Sequence, residues 1–583
     1  MAVLRILVLL IVTSNLFAQN AVFPLSEVRT GQHGIGKTVF SGSKIEEFQV
    51  EILGVLENLG PRQSVILARL SGGPLEKTGV MQGMSGSPVY INGRLVGAVA
   101  LAFNFAKEPI AGIRPIEEML AIRGQAAGNA SSGPRAARTD IPLTASLAGL
   151  ENPGASLVEI ATPVSFSGFT SSTLEHFAPE LKKLGMEPRQ GISSGGALPP
   201  KLGNPAQIRP GDMISVDLLS GDLTIGAEGT VTEVDGKRIY AFGHRFMSVG
   251  ETELPFARAE VLTLLPNLAA SFKISTAREW MGTITQDRST SIYGELGRKA
   301  ETVPVALTVK DGRRAPLAYH MQLVNDRVLS PFILQMAVYS AIDATERTLG
   351  LASYSLRGTI EFQHGIQPLK LDNTYSGEFN VPLQASTGVS SPLAYVMAAG
   401  FDTLKVKNIN LEVEASERKR SLQIDQVTVS PKEAHPGQPV ELAVTFTGEN
   451  GVEVVKSVHY TIPVGAPYGT LNFTVADATS SNLLDYQQLA ATAPKSPTQL
   501  VSFLNSLRPN TNAYVRVWRT DPAFQVQGED LPDPPPSVGL ILNKAQAAQG
   551  LWFPKGSKID ELQIQTGNEV VTGSKNVAVD VKQ

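Results

Sequence analysis

The chain has 583 residues, 42% of them hydrophobic and 18% charged, too apolar for disorder and long enough for three or four separate cores. Lys plus Arg number 50 against 54 Asp plus Glu, a net charge of −4 without basic blocks, so the electrostatic footprint of a nucleic-acid binder is missing. With no cysteine, disulfides, thiol nucleophiles, Fe–S clusters and cysteine-bound zinc are excluded. The seven histidines never pair at i, i+3 or i+4, so no histidine metal site is legible and no cofactor is expected.

In chain order, residues 1–18 read as a secretory signal: Arg5 supplies the positive start, Ile6 to Val12 the short apolar run, and Phe17-Ala18 a cleavage point before Gln19. No later run approaches the ~18 apolar residues of a membrane helix, so the expectation is an exported chain, periplasmic or extracellular, without a transmembrane anchor. Residues 19–124 are strand-like and close on a helical stretch from Pro115 to Ile122. A linker and connector is expected over 125–204, opened by the Gly-, Ala- and Ser-rich stretch from Gly124 to Pro134, with a helix from Ser172 to Leu184 capped by Ser171 or Ser172. Short alternating runs over 205–330, among them Met213 to Leu218, Gly229 to Val234, Lys237 to Phe242 and Val303 to Val309, predict a second all-β unit. A helix between Ser330 and Thr345 begins a mixed stretch over 331–420, and alternating runs over 421–475 predict a small immunoglobulin-like sandwich. Residues 476–583 form a mixed region, with helices predicted to start at Ser496-Pro497 and to run from Ser537 to Gln549. The segment Gly42 to Val50 is echoed at Gly556 to Ile564; both read as a turn followed by a strand, and two copies do not make a repeat architecture.

Two segments can carry chemistry. In the first, Gln82-Gly83-Met84-Ser85-Gly86-Ser87-Pro88 leads into two apolar runs joined by Asn92-Gly93, a strong two-residue hairpin signal. Glycines on both sides of Ser85 allow the N–H groups of Gly83 and Ser85 to aim at one point beside the Ser85 hydroxyl, as an oxyanion hole requires. A nucleophile elbow needs G-x-S-x-G ahead of a helix, whereas here Ser87 holds the fifth position and a hairpin follows. In the second, Gly229 to Val234 and Lys237 to Phe242 flank Asp235-Gly236, so Gly243-His244 falls at the end of another hairpin, a rim position. Histidine, with its pKa near 6.5, suits proton transfer there. The same residues also fit a plain Gly/Ser-rich turn and an ordinary loop histidine.

Gly79 to Ala98, with Ala111 to Leu120 downstream, resembles the serine half of the SpoIVB peptidase family, sporulation stage IV B serine endopeptidases, and Gly229 to Met247 resembles that family's histidine hairpin. The resemblance implies a mainly β fold, a chymotrypsin-like double β-barrel with its halves in permuted order, followed by the sandwich and the mixed C-terminal region. It implies Ser85 as nucleophile, His244 as general base and a protein or peptide as substrate. The serine half leads by 159 positions (244 − 85) where the family places the histidine half first, which a triad tolerates because geometry and not order defines it. The family's acid upstream of the serine has no counterpart here; Asp212, Asp217, Asp222, Asp235, Glu251 and Glu253 lie near His244 in sequence and can orient it instead. No clear PDZ domain follows, His33 is expected to be structural, and the Ser87 hydroxyl is expected to serve the turn. The alternative function is a catalytically weak or inactive peptidase-fold scaffold that binds proteins at the cell envelope. Oligomeric state is not legible.

Overall fold

A computed structural model of the chain describes residues 22–122, 157–191, 201–345 and 350–520, a few single positions apart, with parts of 523–552 and residues 557–583. The signal-like segment, the linker after Gly124 and most of the helix predicted from Ser537 to Gln549 lie outside the described residues. The molecule is mainly β and divides into two compact units. The first takes the chain up to Val303 together with His320–Ile333; the second takes Pro304–Tyr319 and everything from Leu334 onward.

In the first unit six strands, β1 (His33–Ser41), β2 (Lys44–Gly60), β3 (Gln63–Ser71), β4 (Pro88–Ile91), β5 (Arg94–Phe103) and β6 (Ile110–Pro115), pair antiparallel in the cyclic order β1-β2-β3-β6-β5-β4, with β4 returning to β1. Alternating side chains fill the ring with Phe48, Val50, Ile66, Leu70, Val89 and Ile113, all at most 1% exposed, each contributing about 1.5–3 kcal/mol by leaving water. β7 (Leu157–Glu159) adds to the outside of β5, and β8 (Pro163–Ser167) and β9 (Glu187–Gln190) pair in parallel. A second ring is built from β10 (Met213–Gly221), β11 (Thr224–Asp235), β12 (Arg238–Ala241), β13 (Gly250–Leu265), β14 (Phe272–Arg288) and β15 (Ser291–Leu296). Its cyclic order is β10-β11-β12-β15-β14-β13, the same permutation of consecutive strands as in the first ring. β13 and β14, of 16 and 17 residues, pair with four register shifts, the bulges that let long strands bend around a closed ring. β8 extends this second sheet from β11, so described parts of the expected connector are built into both rings.

Helix Ser171–Lys183 forms where expected, but its N-cap is Thr170, whose Oγ1 accepts from the Thr173 N–H at 3.3 Å, rather than Ser171 or Ser172. Both predicted hairpins form. Asn92 and Gly93 take φ of 52° and 73° between the paired Ile91 and Arg94. In the second, Asp235 pairs with Arg238 and Gly236 takes φ of 62°, so the loop is Gly236-Lys237, one residue later than predicted: the left-handed glycine occupies the first loop position, as a type II′ turn requires.

In the second unit, helix Val381–Ala398 packs on strands Ala352–Phe362 and Leu369–Gly377. Further along, a four-stranded and a five-stranded sheet share one core, in which Leu442, Val444 and Phe446 meet Phe473, Val515 and Val579. The stretch 421–475, expected as a sandwich, thus shares its core with strands Asn512–Arg519, Ser557–Gln565 and Ser574–Val581 from the region read as a separate C-terminal part. Helices Ala478–Thr492 and Pro497–Ser506 interrupt the strand pattern in sequence and so hid this continuity. The second of them starts on Ser496 as predicted, its Oγ accepting from Gln499 N–H at 3.2 Å.

Candidate active site

Ser85 lies in the turn that enters β4, and His244 lies just beyond β12; the two rings bring these segments together. Thr230 in β11 donates its N–H to the Ser85 carbonyl at 2.8 Å and its hydroxyl to the Gly83 carbonyl at 2.8 Å. Thr232 donates its hydroxyl to the Gly86 carbonyl at 2.7 Å. Gly86, at φ 92°, sits where a Cβ would come within 2.0 Å of the Thr230 carbonyl oxygen and 2.5 Å of the Phe242 nitrogen, so only glycine permits this approach.

The turn around Ser85 alternates held and unheld donors. The N–H groups of Gln82, Met84, Gly86 and Ser87 donate to Ser271, Met81, Val99 and Met84 carbonyls. Those of Gly83 and Ser85 find no acceptor among the described residues. Their directions follow from the carbonyls across each peptide plane, because C=O and N–H of a trans peptide point opposite ways. The Gln82 carbonyl accepts from Lys273 N–H at 3.2 Å and the Met84 carbonyl from Ser87 N–H at 2.9 Å, which turns the Gly83 and Ser85 N–H groups away from these partners.

On the other side, Phe242 and Gly243 both take left-handed conformations, at φ of 71° and 70°, swinging the chain sharply off β12. For phenylalanine this costs about 1–2 kcal/mol, strain of the kind that gathers at functional sites. His244 Nδ1 lies 2.6 Å from the Arg245 carbonyl; a carbonyl only accepts, so Nδ1 carries the proton and Nε2 of the neutral ring keeps its lone pair. Burial pushes the His244 pKa below its ordinary value, while Glu159 opposes the shift. Glu159 in turn holds the Arg245 side chain at 3.1 Å.

Both residues are sealed: Ser85 is 0% and His244 2% exposed. The rim position expected for His244 is therefore corrected, since the end of the second hairpin faces the first ring instead of solvent. Ser85 Oγ and His244 Nε2 are both buried without a hydrogen-bond partner, so they are not bonded to each other. Ser87 Oγ is buried and unpartnered as well, so its hydroxyl does not serve the turn. His33 begins β1 as an exposed strand residue.

None of the acids considered from sequence is hydrogen-bonded to the imidazole. Asp212 accepts from Arg209 N–H at 2.7 Å, Asp222 from His320 N–H at 2.6 Å, and Asp217 from the Ser215 hydroxyl at 2.5 Å. Asp235 pairs with Arg238, and Glu253 with Arg298. The acid that shapes the histidine loop is Asp287, at the end of β14, whose carboxylate accepts from the N–H groups of Phe246, Met247 and Val249 at 2.8, 2.7 and 3.3 Å. It lies 43 positions after His244 (287 − 244), beyond any local spacing rule. Lys273 was also missed: its side chain is 1% exposed, lies against Gly83 and donates to Thr38 Oγ1 at 2.7 Å, and burial depresses its pKa to about 7. A lysine between Phe272 and Ile274 on an alternating strand reads from sequence as solvent-facing.

Residues 13–120 match the family model of the SpoIVB peptidase S55 domain. The match takes in the first ring and Ser85 and ends before His244. No curated protein and no solved structure matches the chain.

Proposed function

We propose that this chain is a serine endopeptidase of the SpoIVB type that cleaves protein or peptide substrates through an acyl-enzyme on Ser85. The observation that carries this is the pair of unengaged N–H groups, Gly83 and Ser85, beside the unpartnered Ser85 hydroxyl. In this mechanism Ser85 Oγ attacks the scissile carbonyl carbon as its proton passes to His244 Nε2, and the carbonyl oxygen takes the negative charge between the two N–H groups. The C–N bond then breaks, Nε2 returning the proton to the leaving amine, and a water molecule repeats the sequence to release the acid. The Arg245 carbonyl does the tautomer-setting part of the missing acid's work, and Glu159 supplies the nearby negative charge. The shared strand order of the two rings supports the expected double β-barrel with permuted halves. Export to the periplasm or exterior belongs to the same proposal, on the signal-like residues 1–18; among the described residues no helix is long and apolar enough to cross a membrane.

A second reading, an inactive scaffold that binds proteins at the cell envelope, is favoured by the sealing of both side chains. Incubation with a small fluorophosphonate separates the two. Stoichiometric labelling that disappears in Ser85→Ala is expected; wild-type protein that stays unlabelled after prolonged incubation supports the scaffold.

A further inference from the structure

We infer that Thr230 is a positioning residue that sets both arms of the site, the oxyanion turn and the histidine hairpin, from one point on β11. This rests on the Ser85–His244 assignment. Thr230 is 0% exposed and places each of its polar groups on a site segment. Its N–H meets the Ser85 carbonyl, its hydroxyl meets the Gly83 carbonyl, and its carbonyl accepts from Phe242 N–H at 3.2 Å, two residues before His244.

The hydroxyl matters most because of what it holds. Three successive carbonyls, of Gln82, Gly83 and Met84, are fixed by Lys273 N–H, Thr230 Oγ1 and Ser87 N–H respectively. The first and third fix the planes that carry the Gly83 and Ser85 donors; the second fixes the plane between them. That middle plane begins at a glycine with φ of 89°, where rotation meets no side-chain resistance. Without the hydroxyl, the Gly83 carbonyl is a buried acceptor missing this partner and the middle plane keeps only the Met84 N–H bond to the Met81 carbonyl at 3.1 Å, so it can tilt and carry the two flanking donors out of convergence. A β-branched hydroxyl residue suits the position: the methyl packs as valine would in a strand, and the oxygen reaches the neighbouring chain.

The test compares Thr230→Val with Thr232→Val in the full-length chain. Each removes one buried hydroxyl-to-carbonyl bond across the same seam, but the Thr232 bond goes to Gly86, beyond the two donors. Melting temperature and the rate constant of fluorophosphonate inactivation, separated from reversible affinity, are measured for both. Thr230→Val is expected to slow inactivation by about 10-fold or more, a fraction of the ~10²–10³ that follows loss of a whole oxyanion donor. Thr232→Val is expected to lower the melting temperature as much while its rate stays within about twofold of wild type, and Thr230→Ser restores the rate by restoring the hydroxyl. If Thr230→Val does not fold, Thr230→Ser against Thr230→Ala repeats the comparison with the hydroxyl as the deciding difference. Equal rates in Thr230→Val, Thr232→Val and wild type, with labelling still dependent on Ser85, overturn the Thr230 role alone. Absence of Ser85-dependent labelling in the wild type overturns both.

Discussion

At the scale of single residues, Ser85 and His244 should behave as one unit. Ser85→Ala and His244→Ala are each expected to lower turnover of a casein-type substrate by at least ~10³-fold, with the double variant adding little, because losses within a nucleophile–base pair are strongly non-additive. Ser87→Ala is the control: its hydroxyl is buried without a partner, so removal discards an unsatisfied group and should leave both turnover and melting temperature close to wild type. Turnover that survives Ser85→Ala but not Ser87→Ala would move the nucleophile by two residues. The turn that carries Ser85 was legible because a glycine-flanked serine before an Asn-Gly hairpin is a local pattern. Asp287 was not: its work is done on main-chain N–H groups of a loop contributed by a different strand, and nothing in sequence marks a carboxylate for that task.

At the scale of elements, the hairpins and most short strands were legible because left-handed turn residues and alternation are local properties. β13 and β14 were not, since their four register shifts break the alternation that identifies a strand. The seam between β11 and the Ser85 turn depends on Gly86, and Gly86→Ala tests it. The new Cβ would meet main-chain atoms of Thr230 and Phe242, which side-chain rotation cannot relieve, at a φ that L residues rarely adopt. A loss of about 3 kcal/mol or more is expected, read as a fall in thermal or urea midpoint together with loss of labelling. An unchanged midpoint would show that the two ring segments do not meet there.

At the scale of the whole molecule, the sequence conveyed a mainly β chain but not which strands share a core, because sheet membership is settled by long-range pairing; Gly469–Asp477 pairs with Ser574–Val581 although 96 residues lie between them (574 − 477 − 1). The first unit also carries buried charge that sets its pH response. The Lys273 pKa falls from 10.5 to about 7 on burial, so between those values the unfolded chain binds a proton that the folded one does not. Its contribution to stability therefore rises with pH across that window, and the burial cost is fully felt below about 7. Lys273→Met should raise the melting temperature most at or below pH 7, with the gain shrinking toward pH 10.5, offset in part by ~1 kcal/mol for the Thr38 hydroxyl that loses its donor. Melting curves between pH 6 and 10 check this; a gain that grows with pH would have the sign wrong.

For the proposed peptidase, the sealing of Ser85 and His244 would make turnover a two-factor rate. At 0% and 2% exposure neither side chain meets solvent, so each productive encounter would wait for a local opening of the cover over them that keeps the Thr230 bonds, and the rate would be the chemical rate multiplied by the fraction of time the site stands open. Each ~1.4 kcal/mol of opening free energy divides that rate by ten. A change that stabilises this cover would then give a sturdier and slower molecule, and one that loosens it while leaving the Thr230 and Thr232 bonds intact a faster one. A partner or substrate segment that held this cover open would act as an activator without contributing a single catalytic atom.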